Sequence, residues 1–332
     1  MNEMTQTTID ASTTEAALPF QAGETVTHRG ISVTPLFPMR NPECTYISLA
    51  DAVAKGFTVT EVDEEGDVGE IVVHNPTGSR VLLYDGEEIA GAKQDRIINV
   101  SVLVGVGEEF AVPVSCIEMG RWERESDAFR PAMRTPATEV RRAKALNLEL
   151  DPMEGGAAQS AVWDAVSMKE RQHGFESGTS KHGDLIEHER GKLDDLARAF
   201  PLQPGQCGMV LGADGKVVCM DAVSRPDVFA TLHGPLLTGY MLDAMHALDG
   251  TPAPDDAAAA FMTVVERAER RPRQAAGLGT DVRLGSPDVV GSALELDGET
   301  IQLTAFRRES DDLPWAASQN HQRIARPSRR RR

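Results

Sequence analysis

Between Ile97 and Val106 apolar side chains recur at every second position. Ile98, Val100, Val102, Val104 and Val106 share one face, and Asn99 and Ser101 fall on the other. A period of two marks a strand with one dry and one partly wet face, and a helix does not satisfy it. The same rhythm surrounds this segment. FTVTEV (57–62), GEIVVHN (69–75), RVLLYDG (80–86) and EFAVPVSCIE (109–118) are short β-prone runs separated by turn-forming clusters such as DEEGDVG and NPTGS. With ISVTPLFP at 31–38 they predict a largely antiparallel sheet over residues 31–118. Pro113 removes a ladder donor, which places it at an edge or a bulge.

After Trp122 the pattern changes. ERESDAFRPAMRTP is charged and contains two prolines, which suits a crossover, and helical spacing then dominates residues 136–200. Ala158, Val162, Ala165 and Val166 form one stripe within 156–172. Leu185, Glu189, Leu193, Leu196, Ala197 and Phe200 form another, with Asp184 as its expected cap. Ser48 and Gly56 bracket a short helix as N-cap and C′ residue. Asp214-Gly215 between two apolar runs is a strong hairpin signal. Helices over 236–248 and 254–271 and closing strands GSALELDG and TIQLTAF complete an α+β chain. The reading gives a disordered leader at 1–24, one α+β domain at 25–307 with a possible subdivision near 130, and a disordered Arg-rich tail at 308–332. Order is expected to begin near Ile31.

Charge narrows the partners. The 332 residues carry 34 basic and 51 acidic side chains, and setting aside the six arginines of 321–332 leaves 28 against 51, a body charge of −23. Such a surface repels polyanions, so no specific nucleic-acid partner is expected. The Arg run reads as a tail rather than a binding element. Four cysteines without a CxxC pair read as free thiols of a reducing compartment. The N-terminus lacks a signal-peptide pattern and no apolar run approaches a membrane span, which points to the cytoplasm and no membrane partner.

The densest chemistry lies in YDGEEIAGAKQDR, residues 84–96, read as a connection between two strands. Glu87 or Glu88 is the candidate proton-transfer group, Lys93 and Arg96 the candidate anion binders, and Gln94 the orienting amide. The plainer alternative is a turn in which Glu88 pairs with Lys93. At the next strand exit Glu118, Arg121 and Trp122 are placed to line the same pocket, or else Trp122 plugs the core and Arg121 covers it. Known loops fail here. Ala92 separates Gly91 from Lys93 and Gln94 stands where a Walker motif needs Ser or Thr. The glycines at 105 and 107 are followed by a strand, not the helix a dinucleotide fingerprint requires. Cys116 and Arg121 are separated by four residues where a phosphatase or rhodanese loop needs five, so Cys116 is assigned to packing. His173, His182 and His188 have no metal-ligand spacing and are read as solvated loop residues, with no metal assigned.

Gly86 with Glu87 or Glu88, the run Gly91-x-Lys93-Gln94-x-Arg96, Pro113 through Cys116 with Glu118, and the pair Arg121-Trp122 together resemble a bacterial family, the ADP-ribosylglycohydrolase and rhodanese-phosphatase superfamily associated domain. Gln159, Ser160, Trp163, the Gly205-Gln206-x-Gly208 turn, Asp221 and Phe229 extend the resemblance over roughly residues 31–307. The family name records genomic neighbours. What the resemblance implies is ligand chemistry close to ADP-ribose, NAD or related nucleotides. The expectation is therefore a protein that binds a phosphorylated or ADP-ribose-like small molecule, with hydrolysis as the candidate reaction, Glu88 and Glu118 as catalytic candidates and no cofactor named. The rival is a non-catalytic interaction or sensor module whose charge cluster is structural.

Overall fold

The computed structural model describes residues 17–150, 155–310 and 312. Strands β1 (Phe20–Ala22), β2 (Val26–His28), β3 (Ile31–Pro38) and β4 (Ile47–Ser48) precede helix α1 (Leu49–Val53). Then come β5 (Thr58–Glu61), β6 (Glu70–His74), β7 (Val81–Leu83), β8 (Glu88–Gly91), β9 (Arg96–Ile98), β10 (Val102–Val104), β11 (Glu109–Cys116) and β12 (Phe129–Pro131). Helices α2 (Thr138–Leu150), α3 (Gly155–Gln172) and α4 (His182–Ala197) follow, then β13 (Gly208–Ala213), β14 (Lys216–Val223), α5 (Pro226–Ala244), a 3₁₀ turn (Met245–Ala247) and α6 (Ala257–Glu266). The described chain closes with β15 (Glu269–Gln274), β16 (Thr280–Gly285), β17 (Val289–Leu296) and β18 (Glu299–Arg307).

The α+β class holds. A nine-stranded antiparallel sheet runs β1-β3-β13-β14-β18-β17-β16-β15, with β2 also on β3. A six-stranded sheet runs β12-β8-β9-β11-β6-β5, and β10-β7-β4 makes a third. All pairings are antiparallel except β4 with β7. Alternation along β13 and β14 separates two cores. Met209, Leu211 and Cys219 face a core shared with α4 and α5, whereas Val210, Met220 and Ala222 face α6 through Phe261 and Val265. A third core of Val59, Ile71, Val73, Ile89, Ile98, Val112 and Val114 fills the six-stranded sheet.

Local signals behave as their chemistry requires. Ser48 caps α1 by accepting from the Asp51 N–H at 3.2 Å, and Gly56 sits at φ +97° beyond it. Asp214 and Gly215 both adopt positive φ, 51° and 74°, and join β13 to β14 as the dipeptide predicts.

Several boundaries differ from expectation. The alternating run 97–106 is two strands in two sheets: β9 pairs with β11, and β10 pairs with β7. Its periodicity survives because Leu103 faces one core and Val102 and Val104 another. β3 belongs to the large sheet, not to the sheet of 57–118. Pro113 sits inside β11 where its pairing passes from β6 to β9, so β11 is not an edge. The crossover after Trp122 contains β12. Asp184 lies in the first turn of α4, and the cap position is Lys181. α5 starts ten residues before the expected Leu236, because Pro226 occupies its first turn and Pro235 is tolerated inside. The end of 254–271 is not helical, because α6 stops at Glu266. Glu269–Gln274 is an edge strand, where Pro272 costs no ladder bond.

Order also begins earlier than Ile31. Leu18 and Phe20 are buried and β1 pairs with β3, inside the stretch assigned to the leader. Beyond β18, Arg308 pairs with Glu149, Glu309 with Lys216 and Asp312 with Arg142. The remainder of both assigned tails, 1–16 and 313–332, lies outside the described residues.

Candidate functional site

The segment 84–96 is a turn, a strand and a second turn. Tyr84–Glu87 forms a β-turn with Gly86 at φ +80° and the Glu87 N–H donating to the Tyr84 carbonyl at 2.9 Å. β8 and β9 then form a hairpin whose tip, Ala92–Asp95, is held from outside. The Gly91 N–H donates to Asp95 Oδ1 at 3.0 Å, and the Ala92 N–H to Ser126 Oγ at 2.9 Å. Gly91 is needed here, because its φ is +114° and a Cβ would lie 2.5 Å from Ser126 Oγ.

The side chains of this hairpin go to two separate polar clusters. Around Asp95, whose side chain is fully buried, three cations converge. Lys181 Nζ lies 2.9 Å from Oδ2, Arg134 Nη2 3.4 Å from Oδ2, and Arg121 Nη2 3.4 Å from Oδ1. Arg134 also donates to Glu88 Oε1, through Nε at 2.8 Å and through Nη2. Arg121 clasps Glu118 at 2.8–3.1 Å and donates to the Ala92 carbonyl at 2.9 Å. Glu118 further accepts from the Asp95 N–H and from Thr179 Oγ1. The carboxylates are 0–2% exposed, whereas the three cations retain 16–22%. The buried carboxylates lie inside and the three cations at the rim, where the exposed Glu125 also pairs with Arg121 at 3.5 Å.

Burial sets the proton affinities, with partners opposing it. Burial raises the Glu88 carboxyl despite the Arg134 charge, and its Oε2 has no hydrogen-bond partner. Burial would raise Glu118 as well, but hydrogen bonds from Arg121 and the Asp95 N–H, with the Arg121 and Lys181 charges, hold it below the usual carboxylate range. These two catalytic candidates therefore share a network yet differ in protonation tendency.

The second cluster lies around Arg96, which is fully buried. Arg96 donates to Cys116 Sγ, to Gln94 Oε1 at 3.0 Å and to the Asp67 carbonyl at 3.2 Å, and it approaches Glu61 at 3.8 Å. Lys93 donates to the Glu65 carbonyl, and Lys93 and Arg96 lie 5.4 and 5.6 Å from the centre of the Trp122 ring, which is 43% exposed. The Glu88–Lys93 pair of the plainer alternative does not form; Glu88 pairs with Arg134. Glu87 joins neither cluster. It is buried beside the Tyr84 N–H, and burial pushes its carboxyl up to about 7.

Glu88, Glu118 and Arg121 are thus brought together, and Lys93, Gln94, Arg96 and Trp122 form a neighbouring group. Sequence reasoning missed Asp95, Arg134 and Lys181. Asp95 lay in plain view between Gln94 and Arg96, and strand alternation was the signal that separates it from them. Arg134 and Lys181 sit 39 and 86 residues further along, and no local pattern marks them. His182, read as solvated, is fully buried; its N–H donates to the Ile117 carbonyl and its Nε2 accepts from the Ala137 N–H. Two cavities of about 350 and 400 Å³ open elsewhere, the first beside Arg40, Arg80 and Glu299 and the second beside Thr138, Lys216 and Asp243. Among the described residues no group of three or more His, Cys, Asp or Glu side chains is arranged to hold a metal. No described helix is long and apolar enough to cross a membrane.

Cys116 is part of the second cluster's frame. Its N–H donates to Gln159 Oε1 at 2.6 Å, its carbonyl accepts from Gln159 Nε2 at 2.8 Å, and burial pushes its thiol up to about 11. Burial also pushes Cys207 up to about 12 and raises Cys219. Native Cys116, Cys207 and Cys219 are therefore expected to resist an aromatic disulfide reagent at pH 8 and to react fully in guanidinium. Rapid native labelling of Cys116, read by peptide mass, would contradict the packing assignment.

This α+β architecture with its buried charge network coincides with one family model. The ARG and Rhodanese-Phosphatase-superfamily-associated Protein domain matches residues 19–306, and the chain belongs to that family. Comparison with curated proteins gives no match, and neither does comparison with solved structures.

Proposed function

We propose that this protein binds a phosphorylated small molecule, of the nucleotide or ADP-ribose class, at the rim formed by Arg121, Arg134 and Lys181. The observation that carries this reading is the convergence of three partly exposed cations on one fully buried carboxylate, Asp95. An anion reaching their outer edges meets donors already oriented, so little ordering is needed on binding. The body charge makes this rim a local exception, which favours a small anion over nucleic acid or a membrane surface, within the cytoplasm. Glu88, with a raised carboxyl and an unpartnered oxygen, is the group suited to move a proton if the ligand is hydrolysed. Lys93 and Trp122 extend the same surface, with the Trp122 ring available to a base or sugar, while the buried Arg96 and Gln94 support it from beneath. Glu87 has no part in it.

One observation favours the rival module: each buried carboxylate of the cluster is already ion-paired. Calorimetry of the wild type against ADP-ribose, nucleotides and sugar phosphates separates the two. Lys181→Ala is expected to weaken binding by about 1.5–3 kcal/mol, the range for hydrogen bonds to charged groups. Glu88→Gln is expected to retain binding and lose turnover. A wild type that binds none of these ligands, with a Lys181→Ala variant that is destabilised, would favour the structural module.

A further inference from the structure

Among the described residues seven that are not glycine hold a left-handed backbone, with φ from 43 to 61°. L side chains rarely adopt it, because Cβ crowds the following carbonyl oxygen. Four of the seven are ordinary turn positions. Arg29, Asp214 and Asp297 each precede a glycine of positive φ in a two-residue hairpin, and Asp249 follows the 3₁₀ turn beside Gly250. The other three, Ala92, Met133 and Ser180, are distant in sequence, yet all adjoin the cluster around Asp95. Met133 precedes Arg134, Ser180 precedes Lys181, and the Ala92 carbonyl accepts from Arg121 Nη1 at 2.9 Å. We propose that Met133 and Ser180 are positioning residues of the anion site, whose left-handed backbones aim Arg134 and Lys181 at Asp95.

Both positions are fixed from either side. The Ala132 N–H donates to the Glu88 carbonyl at 2.8 Å, and the Arg134 carbonyl accepts from the Glu88 N–H at 3.2 Å. Two residues thus meet one residue of β8, and Met133 is looped out between them. Such a bulge re-aims the side chain that follows it. Ser180 lies between Thr179, whose carbonyl accepts from the Met119 and Gly120 N–H groups at 3.1 and 2.8 Å, and Lys181, whose N–H donates to Ser177 Oγ at 3.1 Å. An isolated β-bridge joins Lys181 to Glu118. These contacts hold a conformation that the residues would otherwise leave, and strain kept in this way concentrates where direction matters. The cations that emerge beyond it reach Asp95 at 3.4 and 2.9 Å. Met133 is an exposed side chain, and Ser180 Oγ makes no hydrogen bond among the described residues, so these positions supply backbone direction.

The inference rests on the proposed reading of the rim for its ligand, and on the geometry alone for the positioning. The test uses the full chain and replaces each residue with Val and with Gly. A β-branched side chain is least able to hold a positive φ, whereas glycine holds it readily. In Ser180→Val the backbone relaxes out of the left-handed region and carries Lys181 away from Asp95, and Met133→Val does the same to Arg134.

Nitrogen NMR without ligand reads the positions first. The Lys181 ammonium signal, assigned by its loss in Lys181→Ala, is expected in the wild type and in Ser180→Gly and is expected to vanish in Ser180→Val. The Arg134 Nε–H signal is expected to follow Met133→Gly and Met133→Val in the same way. Calorimetry with inorganic pyrophosphate and with ADP-ribose is then expected to show binding weakened roughly fivefold or more in each Val variant and restored to about the wild-type value in each Gly variant. Asp297→Val, which strains the β17–β18 turn away from the cluster, is expected to lower the Tm without changing affinity. Thr takes the place of Val at a position where the Val variant does not fold. A folded Val or Thr variant that keeps its signal, or that binds within about twofold of a wild type that binds, overturns the proposal. A wild type that binds neither ligand while the signals respond as expected overturns the rim as an anion site and leaves the positioning role standing.

Discussion

Arg141→Met is expected to lower the unfolding free energy by about 3–5 kcal/mol, because it leaves a carboxylate charged and unpaired in the core. Arg141 on α2 and Asp221 on β14 are both fully buried and joined by two hydrogen bonds of 2.9 and 2.7 Å. Asp221 also accepts from Tyr84 at 2.5 Å, from Thr304 at 2.7 Å and from Tyr240. The guanidinium lies between the Tyr84 and Phe306 rings, 5.8 and 5.2 Å from their centres. Burial alone would raise Asp221, but the Arg141 charge and these hydrogen bonds hold its carboxyl below the ordinary range. A depressed carboxylate stabilises the fold above its unfolded pKa, and that contribution is lost as pH falls through the folded value. The gap between wild type and Arg141→Met in urea denaturation is therefore expected to be full at pH 7 and to narrow below about pH 4. An Arg141→Met, Asp221→Leu double variant should recover part of the loss, since the bare charge is gone. A loss below about 1 kcal/mol at pH 7 would show that the pair contributes no more than a surface bridge.

Glu87→Gln is expected to act in the opposite direction, and only at higher pH. Burial raises the Glu87 carboxyl from 4.5 to about 7, opposed only by the Tyr84 N–H. The folded chain therefore holds a proton that the unfolded chain releases between those values. Stability falls as pH rises from about 4.5 and levels off above about 7. At about 1.4 kcal/mol per pKa unit, the wild type loses roughly 3 kcal/mol across that window. A neutral amide of the same shape does not titrate, so Glu87→Gln should exceed the wild type at pH 8 and match it near pH 5. Parallel pH profiles for the two proteins would refute the assignment. The measurement also separates Glu87 from Glu88, which adjacent positions in the sequence make look equivalent.

How far the chain could be read depended on the range of the interaction. The Ser48 cap, the Asp214-Gly215 turn and the closing strands β17 and β18 are local, and residues a few positions apart define them. β15, with sequence ERRPRQ, has no apolar alternation, and only its pairing to β16 makes it a strand. Val102 and Ile98 share a period but pair with different strands, because a two-residue repeat states which face a side chain takes and not which sheet receives it. The candidate cluster was legible as a concentration of chemistry at 84–96 and 116–122. Its division into a network around Asp95 and another around Arg96 was not.

By itself the sequence determined the α+β class, the positions of most turns, the acidic body and the blocks that place the chain in its family, since composition, periodicity and capping act within a few residues. Only the tertiary structure decided the pairings. Arg134 rather than Lys93 meets Glu88, Lys181 reaches Asp95 from the start of α4, Arg141 meets Asp221 from 80 residues away, and His246 closes on His173. The physical reason is that a buried charge needs its partner within a few ångströms in space, at any distance along the chain, and packing alone sets which partner arrives.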